Sequence, residues 1–544
     1  MPLRPGPPPR RREMISNGVV MIGLGRRISI GLAAGTFAMA GALHAADKPE
    51  VAAPKPAAAQ PANGEDGDVG SAADVVTRHS GTFHGRAIKY SATAGRLPIM
   101  GPDGSVDAQM FFVAYTQDGA APGTRPITFL VNGGPGAATA WLHLGGIGPR
   151  KVRLNPDGSV PAPPVRLTDN PDSILDRTDL VFIDAPGTGF SRLSGDAAKG
   201  RLLEKRGDLD AFASFVQTYL RKNGRFGSPL YLYGESYGSF RMAGLSDVLI
   251  RRGVPINGVV LLSSALDFAT LQPTNINDLP YQLTLPSYAS IAAFHNRLTP
   301  PRTDIDALRR EAEEWTTNVY GPALAKGNKL LGAERQRIVD GLVRFTGLSP
   351  SVIETENLRI DVPQFMKYLQ ADRGLVTGRT DGRLVGPPPA SAVEEPFYDP
   401  AMGDLTPAFT AAASQYLFGE LRYDISLPYR MYSRDVATRF RFGRGDADAV
   451  VADSDRQTLT ALQSTIVKNR NLKVLAIQGL YDLATPYMSV KYTLDHMPLP
   501  PDYAANVELL VVPAGHMAYD DARALREMND ATVRFIDASA LGTR

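Results

Sequence analysis

The chain contains no cysteine. That excludes a thiolate nucleophile, thiolate metal sites, iron–sulfur clusters, any disulfide framework and a lipid-modified N-terminal cysteine. A charge excess of one sign is also missing. The 58 Lys and Arg stand against 56 Asp and Glu, a net charge of +2, so the total gives no electrostatic case for nucleic acid. Histidines number seven, none at metal-ligand spacing with carboxylates, and the glycine-rich stretches lack the Lys-Ser/Thr that holds a phosphate. Neither metal nor cofactor is expected. Nor is the N-terminal apolar run long. Within "GRRISIGLAAGTFAMAGALHAADKPE" it is interrupted by glycine, preceded by Arg26 and Arg27, and followed by small residues around Ala45 and Ala46. This is the layout of an export signal rather than a spanning helix. A periplasmic or extracellular protein without stable membrane insertion is expected.

What is present suffices for a large core and a second, smaller unit: 544 residues, 43% of them hydrophobic, with 52 Gly and 43 Pro. Residues 1–46 read as the signal peptide, with Met14 or Met21 as alternative starts and the arginine pair permitting a twin-arginine route. The Ala/Pro-rich stretch 47–76 reads as a disordered linker, with structure starting near Val75. A core then occupies 77–269 and 456–544, interrupted at 270–455 by charged helical pieces and Pro-rich loops.

Short apolar runs set the fold class. "ITFLV", "DLVFIDAPG", "LYLYGES", "INGVVLLSSALD", "LKVLAIQG" and "VELLVVPAG" are continuous rather than alternating, and each ends in Gly, Pro or a polar residue. Helical patterns lie between them, one with Leu209, Phe212, Val216 and Tyr219 at helical spacing, another with Met242, Leu245 and Leu249. Such alternation predicts an α/β protein with a mostly parallel sheet covered on both faces. The segment 270–455 is then a mainly helical insertion between two strands.

In a parallel sheet, reactive groups gather at the carboxyl ends of the strands. Gly234-Glu235-Ser236-Tyr237-Gly238 sits between a strand and a helix and fits a nucleophile elbow. Of the histidines, His143 in "AWLHLGG" suits a core role, whereas His516 at the tip of "VELLVVPAGHM" is placed to act as base. Asp482, ending the strand before it, is placed to orient that base. The order Ser236, Asp482, His516 is the one this fold class uses. The amide of Tyr237 and that of Gly134, in the "NGGPG" after "ITFLV", are candidate oxyanion donors, although Gly-Gly-Pro-Gly also suits a tight turn. Trp315, Tyr320, Phe365 and Tyr368 are candidates to line a pocket, against the commoner role of aromatic residues as core.

"LVNGGPGAATAWLHLGGIGPRKV", "DLVFIDAPGTGFS", "YGESYG", "QGLYDLATP" and "AGHM" together resemble the serine carboxypeptidase family, in order and with similar spacing from about residue 80 onward. The resemblance implies an α/β-hydrolase fold with a helical cap and removal of C-terminal residues from peptides with a free C-terminus. It places the family's catalytic residues on Ser236, Asp482 and His516, its oxyanion amides on Gly134 and Tyr237, and its carboxylate-gripping groups on Asn132 and Glu235. There are departures. Ala137, Ala138 and Thr139 stand where the family has Cys and two Ser, and Leu480 stands where many members carry a first Asp. Gly146 stands where the family has a Glu that pairs with the equivalent of Glu235. Two close carboxyls share a proton and can donate it to an anionic terminus. With one acid remaining, carboxylate recognition is expected to rest on Asn132 and protonated Glu235. The residues leave open a proline-releasing aminopeptidase, an esterase or an acyltransferase of the same fold, and an inactive binding scaffold. No pattern points to an oligomeric state.

Overall fold

The computed structural model describes residues 73–121, 123–389, 398–443 and 453–541. The expected signal peptide and the expected linker up to residue 72 lie outside them.

Among the described residues, regular structure starts at Val75, two residues inside the expected linker, with an antiparallel meander: β1 (Val75–Phe83), β2 (Arg86–Met100) and β3 (Val106–Gln117). Each apolar run then supplies a short strand: β4 (Ile127–Val131), β5 (Asp179–Ile183), β6 (Leu230–Glu235), β7 (Gly258–Leu262), β8 (Lys473–Gly479) and β9 (Val507–Val512). The order across the sheet is β1-β2-β3-β5-β4-β6-β7-β8-β9, with a two-residue strand, Arg192–Leu193, also pairing with β3. From β5 onward every pairing is parallel; β3 meets β5 antiparallel.

The continuity of the apolar runs follows from burial on both faces, because neighbouring side chains point to opposite sides of a sheet. Leu130, Phe182, Tyr233, Val260, Leu262, Leu475 and Ile477 pack on one side. Phe129, Val131, Val181, Leu232, Val259, Leu261, Val474 and Ala476 pack on the other. That second side is covered by α1 (Lys205–Lys222), whose Leu209, Phe212, Val216 and Tyr219 are buried as their spacing predicts, and by α2 (Tyr237–Arg251) through Met242, Leu245 and Leu249. Each such fully buried side chain contributes about 1.5–3 kcal/mol.

Between β7 and β8 run α3 (Leu279–Phe294), α4 (Ile305–Trp315), α5 (Gly332–Thr346) and α6 (Leu405–Ser414). After β9, α7 (Ala522–Leu541) returns to the first side of the sheet through Leu525 and Met528. The insertion packs in an apolar cluster that also takes in Leu480, Leu483 and Tyr487, and this assigns the aromatic residues considered for a pocket. Trp315 stacks on Tyr320 at 5.4 Å and meets Phe345 at 5.3 Å, while Phe365 stacks on Tyr288 at 4.0 Å. Tyr368 packs against the same cluster. These residues hold the insertion together. Among the described residues, no helix is long and apolar enough to cross a membrane.

Candidate active site

At the carboxyl end of β6 the chain turns directly into a helix. Ser236 takes φ 58° and ψ −127°, a left-handed conformation that a residue with a Cβ adopts at a cost of about 1–3 kcal/mol. Its amide donates to Leu262 O at 2.9 Å, which ties the elbow to the end of β7. The flanking glycines are steric requirements. A Cβ on Gly238 would lie 2.5 Å from Val131 O, and one on Gly234 would overlap the Gly238 carbonyl. Only glycine lets β4 approach the elbow this closely.

The end of β8 brings Asp482 and the end of β9 brings His516. Leu480 and Tyr481 donate their amides to Val512 O and Ala514 O, both at 2.9 Å, so the two loops travel together. His516 Nδ1 lies 2.7 Å from Asp482 Oδ2. A carboxylate only accepts, so Nδ1 carries the proton and Nε2 is left as the basic nitrogen. Asp482 is saturated by the amides of Ala484 (2.7 Å) and Thr485 (3.0 Å) and by the Thr485 hydroxyl (2.6 Å). Burial opposes ionisation of Asp482, but the charge and hydrogen bond of His516 and the bonds from Thr485 outweigh it and hold the carboxyl below its ordinary value. Burial likewise opposes the imidazolium, yet Asp482 raises His516 above an ordinary histidine.

Ser236 and His516 are brought to one corner by backbone anchors. Ser263, which follows Leu262, donates its hydroxyl to His516 O at 2.5 Å, and Thr380 O accepts the His516 amide at 2.6 Å. Among the described residues, no hydrogen bond joins Ser236 Oγ to His516 Nε2. Catalytic hydrogen bonds of this kind are often long before substrate binds. Thr380 belongs to the insertion, whose neighbouring residues also bind the acid's loop: Leu483 N donates to Arg379 O at 3.0 Å and Gly382 N to Tyr481 O at 2.9 Å.

The segments that carry the two expected oxyanion amides lie side by side. Tyr237 is the first residue of α2, so its N–H has no intrahelical acceptor. The "NGGPG" loop lies against it: a Cβ on Gly133 would fall 2.5 Å from Tyr237 N. Gly134 itself has φ +105°. The loop is held from outside by the insertion, where Ala138 N donates to Met431 O (2.9 Å) and Ser433 N to Gly136 O (2.8 Å). It is held from inside by a buried pair, Arg241 and Asp208 (2.7 and 3.2 Å), whose guanidinium also donates to Asn132 O at 3.0 Å.

Asn132 and Glu235 are in contact. Asn132 Nδ2 donates to Glu235 Oε2 at 2.8 Å, and its orientation is fixed because Oδ1 accepts from Leu142 N at 2.8 Å. Glu235 is 2% exposed. Burial pushes its carboxyl up to about 7, against the lowering influence of His516, Tyr519 and Asn132. Tyr519 was not among the residues expected here. Its hydroxyl lies 3.0 Å from Oε1 and 3.1 Å from Oε2 of Glu235. The signal in the sequence was the glycine at 146, which leaves a partner of Glu235 unaccounted for.

Other strand-end and histidine candidates separate cleanly. His143 is a core residue, 2.7 Å from Tyr115 Oη and stacked on Phe182 at 4.2 Å, and burial lowers it to about 3. Asp184 ends β5, but it accepts the Thr139 amide at 2.8 Å and Tyr429 Oη at 3.3 Å, and burial raises it to about 6. Among the described residues, no His, Asp and Glu cluster is arranged to hold a metal. A cavity of about 1450 Å³ includes Pro126, Pro229, Asn257 and Lys473 in its wall. It lies at the amino ends of the strands, opposite the elbow, and touches none of the candidate residues.

Comparisons with known proteins bear on the fold and on residues 97–256. Residues 97–256 match the family model described as serine carboxypeptidase. Serine carboxypeptidase S10 family member 1 of Dictyostelium discoideum is 23% identical over 171 residues, 31% of this chain and 38% of that protein. A retinoid-inducible serine carboxypeptidase of Rattus norvegicus is 30% identical over 149 residues, 26% of this chain and 29% of that protein. The matches thus span well under half the length of these relatives. The solved structure of a prohormone-processing carboxypeptidase from Saccharomyces cerevisiae superposes with a TM-score of 0.51 at 16% identity, covering 81% of this chain and 90% of that one. The architecture is the α/β-hydrolase fold. The similarity to serine carboxypeptidases is carried by residues 97–256, within that fold.

Proposed function

We propose that this protein is an exported serine carboxypeptidase that releases C-terminal residues from peptides through an acyl-enzyme. The observation that carries the reading is the 2.7 Å bond from His516 Nδ1 to Asp482 Oδ2, at the ends of adjacent strands beside the left-handed elbow of Ser236. Nε2 of His516 takes the Ser236 proton as Oγ attacks the scissile carbonyl. Asp482 holds the imidazole's tautomer and stabilises the imidazolium that forms. The developing oxyanion is met by the amides of Gly134 and Tyr237, two donors fixed before the reaction starts. The imidazolium returns its proton to the leaving amine, and water then repeats the cycle on the ester.

Asn132 and Glu235 supply the preference for a free C-terminus. Protonated Glu235 donates to the substrate carboxylate, while the ionised form repels it. Export rests on the basic pair and short apolar run near the N-terminus. Peptides of defined sequence, incubated with wild type and with Ser236→Ala, test the reading by mass analysis of the products. Stepwise loss of single C-terminal residues, abolished by the substitution, is expected. Internal or N-terminal cleavage by the wild type would overturn it.

A further inference from the structure

The place left by Gly146 is not empty space. Gly145 and Gly146 lie in a single buried turn, His143–Ile147, that packs against the short helix Ala518–Asp520. A Cβ on Gly145 would enter the ring of Tyr519. One on Gly146 would lie 2.7 Å from Tyr519 Cβ and closer still to Leu525 Cδ1. Gly145 is therefore the seat of the Tyr519 ring, and any side chain at 146 would have to displace Leu525 and the Tyr519 Cβ from this packing. The seated ring carries its hydroxyl to both oxygens of Glu235, the residue that the missing carboxyl pairs with in the family.

We propose that Tyr519 is the positioning residue of Glu235, supplying from the His516 loop the hydrogen bond that a second carboxyl supplies elsewhere, and that it thereby sets the alkaline limit for binding a substrate's C-terminal carboxylate. The proposal rests on the carboxypeptidase reading above for its functional half only.

The chemistry differs from that of a carboxyl pair. Two carboxyls compete for one shared proton. A phenol keeps its own proton throughout the working range, and burial and Glu235 push that of Tyr519 well above the ordinary phenol. Tyr519 thus donates to Glu235 in its ionised state and stabilises that state. Asn132 and Tyr519 between them place two donors on Oε2, whereas among the described residues Oε1 meets only Tyr519 and can carry the proton offered to substrate. The titratable groups facing Glu235 are His516 and Asp482 from the strand-end loops, Tyr519 and Asp520 from the short helix, and Tyr233 from its own strand.

The variant Tyr519→Phe removes one oxygen and keeps the ring in its seat. The ionised carboxylate loses a donor, so Glu235 holds its proton to higher pH, by roughly one unit for one charge-assisted hydrogen bond. Two measurements read this. The Glu235 carboxyl band is assigned by infrared difference between wild type and Glu235→Gln, and its titration midpoint should move upward in Tyr519→Phe. An unmoved or lowered midpoint overturns the proposal, whatever the enzyme cleaves. Separately, kcat/KM is followed against pH for a blocked dipeptide and for its ester. The dipeptide-to-ester ratio at pH 8 should rise about fivefold in Tyr519→Phe. A ratio unchanged at every pH overturns the functional half. Should the midpoint move while wild type never distinguishes dipeptide from ester, the bond to Glu235 stands and the carboxypeptidase reading falls.

Discussion

Replacing Arg241 by methionine tests how the glycine loop is held. Arg241 and Asp208 are 1% and 3% exposed at the side chain, joined at 2.7 and 3.2 Å. The guanidinium lies 4.7 Å from the Phe212 ring centre and 5.0 Å from that of Tyr237, and it donates to Asn132 O at 3.0 Å. Its loss therefore strands a buried carboxylate and a buried carbonyl together. Breaking such a pair from one side costs about 3–5 kcal/mol. With roughly 2 cal/mol/K of unfolding entropy per residue over the ~450 described residues, that corresponds to a fall in Tm of about 3–5 °C.

The cost should depend on pH with a definite sign. Burial already raises Asp208 above the ordinary carboxylate, and losing Arg241 raises it further. A carboxyl raised in the folded state binds more protons folded than unfolded, so its stability contribution is present at low pH. That contribution is lost as pH rises through the unfolded value toward the folded one. Arg241→Met should accordingly be less destabilising at pH 5 than at pH 8. The control is Arg439→Met, which breaks an exposed pair with Asp435 (2.5 Å) and should change stability by under about 1 kcal/mol. Calorimetry that found the two variants equally mild would refute the reasoning.

Other outcomes follow from the same geometry. Because Ser236 sits at φ 58°, Ser236→Gly should be inactive yet more stable than Ser236→Ala by about 1 kcal/mol, measured by denaturant unfolding. Gly238→Ala should abolish activity and lower Tm, since its Cβ would meet Val131 O at 2.5 Å. Ester hydrolysis needs neutral His516, which Asp482 raises above 6.5, so kcat/KM for an ester should fall as pH drops through a value above 6.5. Cleavage of a free-carboxylate peptide should fall in addition on the alkaline side, as Glu235 loses its proton near 7. A bell for the peptide beside a sigmoid for the ester is the expected pair of profiles.

Much of the site was legible because it sits where the sequence is most constrained. Strands buried on both faces leave continuous apolar runs, and the polar residue ending each run marks a strand end. Ser236, Asp482 and His516 announce themselves in this way. The meander β1–β3 did not, because β2 carries Lys89, Arg96 and Pro98 and shows only partial alternation. Residues that act by touching backbone carry no local pattern. Ser263 and Thr380 hold His516 through single bonds whose partners are distant in sequence. Gly146 was visible as a departure, but its meaning required seeing Tyr519 in the space. The insertion's aromatic residues were ambiguous for the same reason, since stacking and pocket lining use the same spacing.

The most direct test is the reactivity of one hydroxyl. A fluorophosphonate probe, followed by intact-mass and peptide mapping, should place a single adduct on Ser236, with labelling slowed by about three orders of magnitude or more in His516→Ala and Asp482→Asn. An adduct elsewhere, or labelling at Ser236 that proceeds at the wild-type rate without His516, would contradict the account.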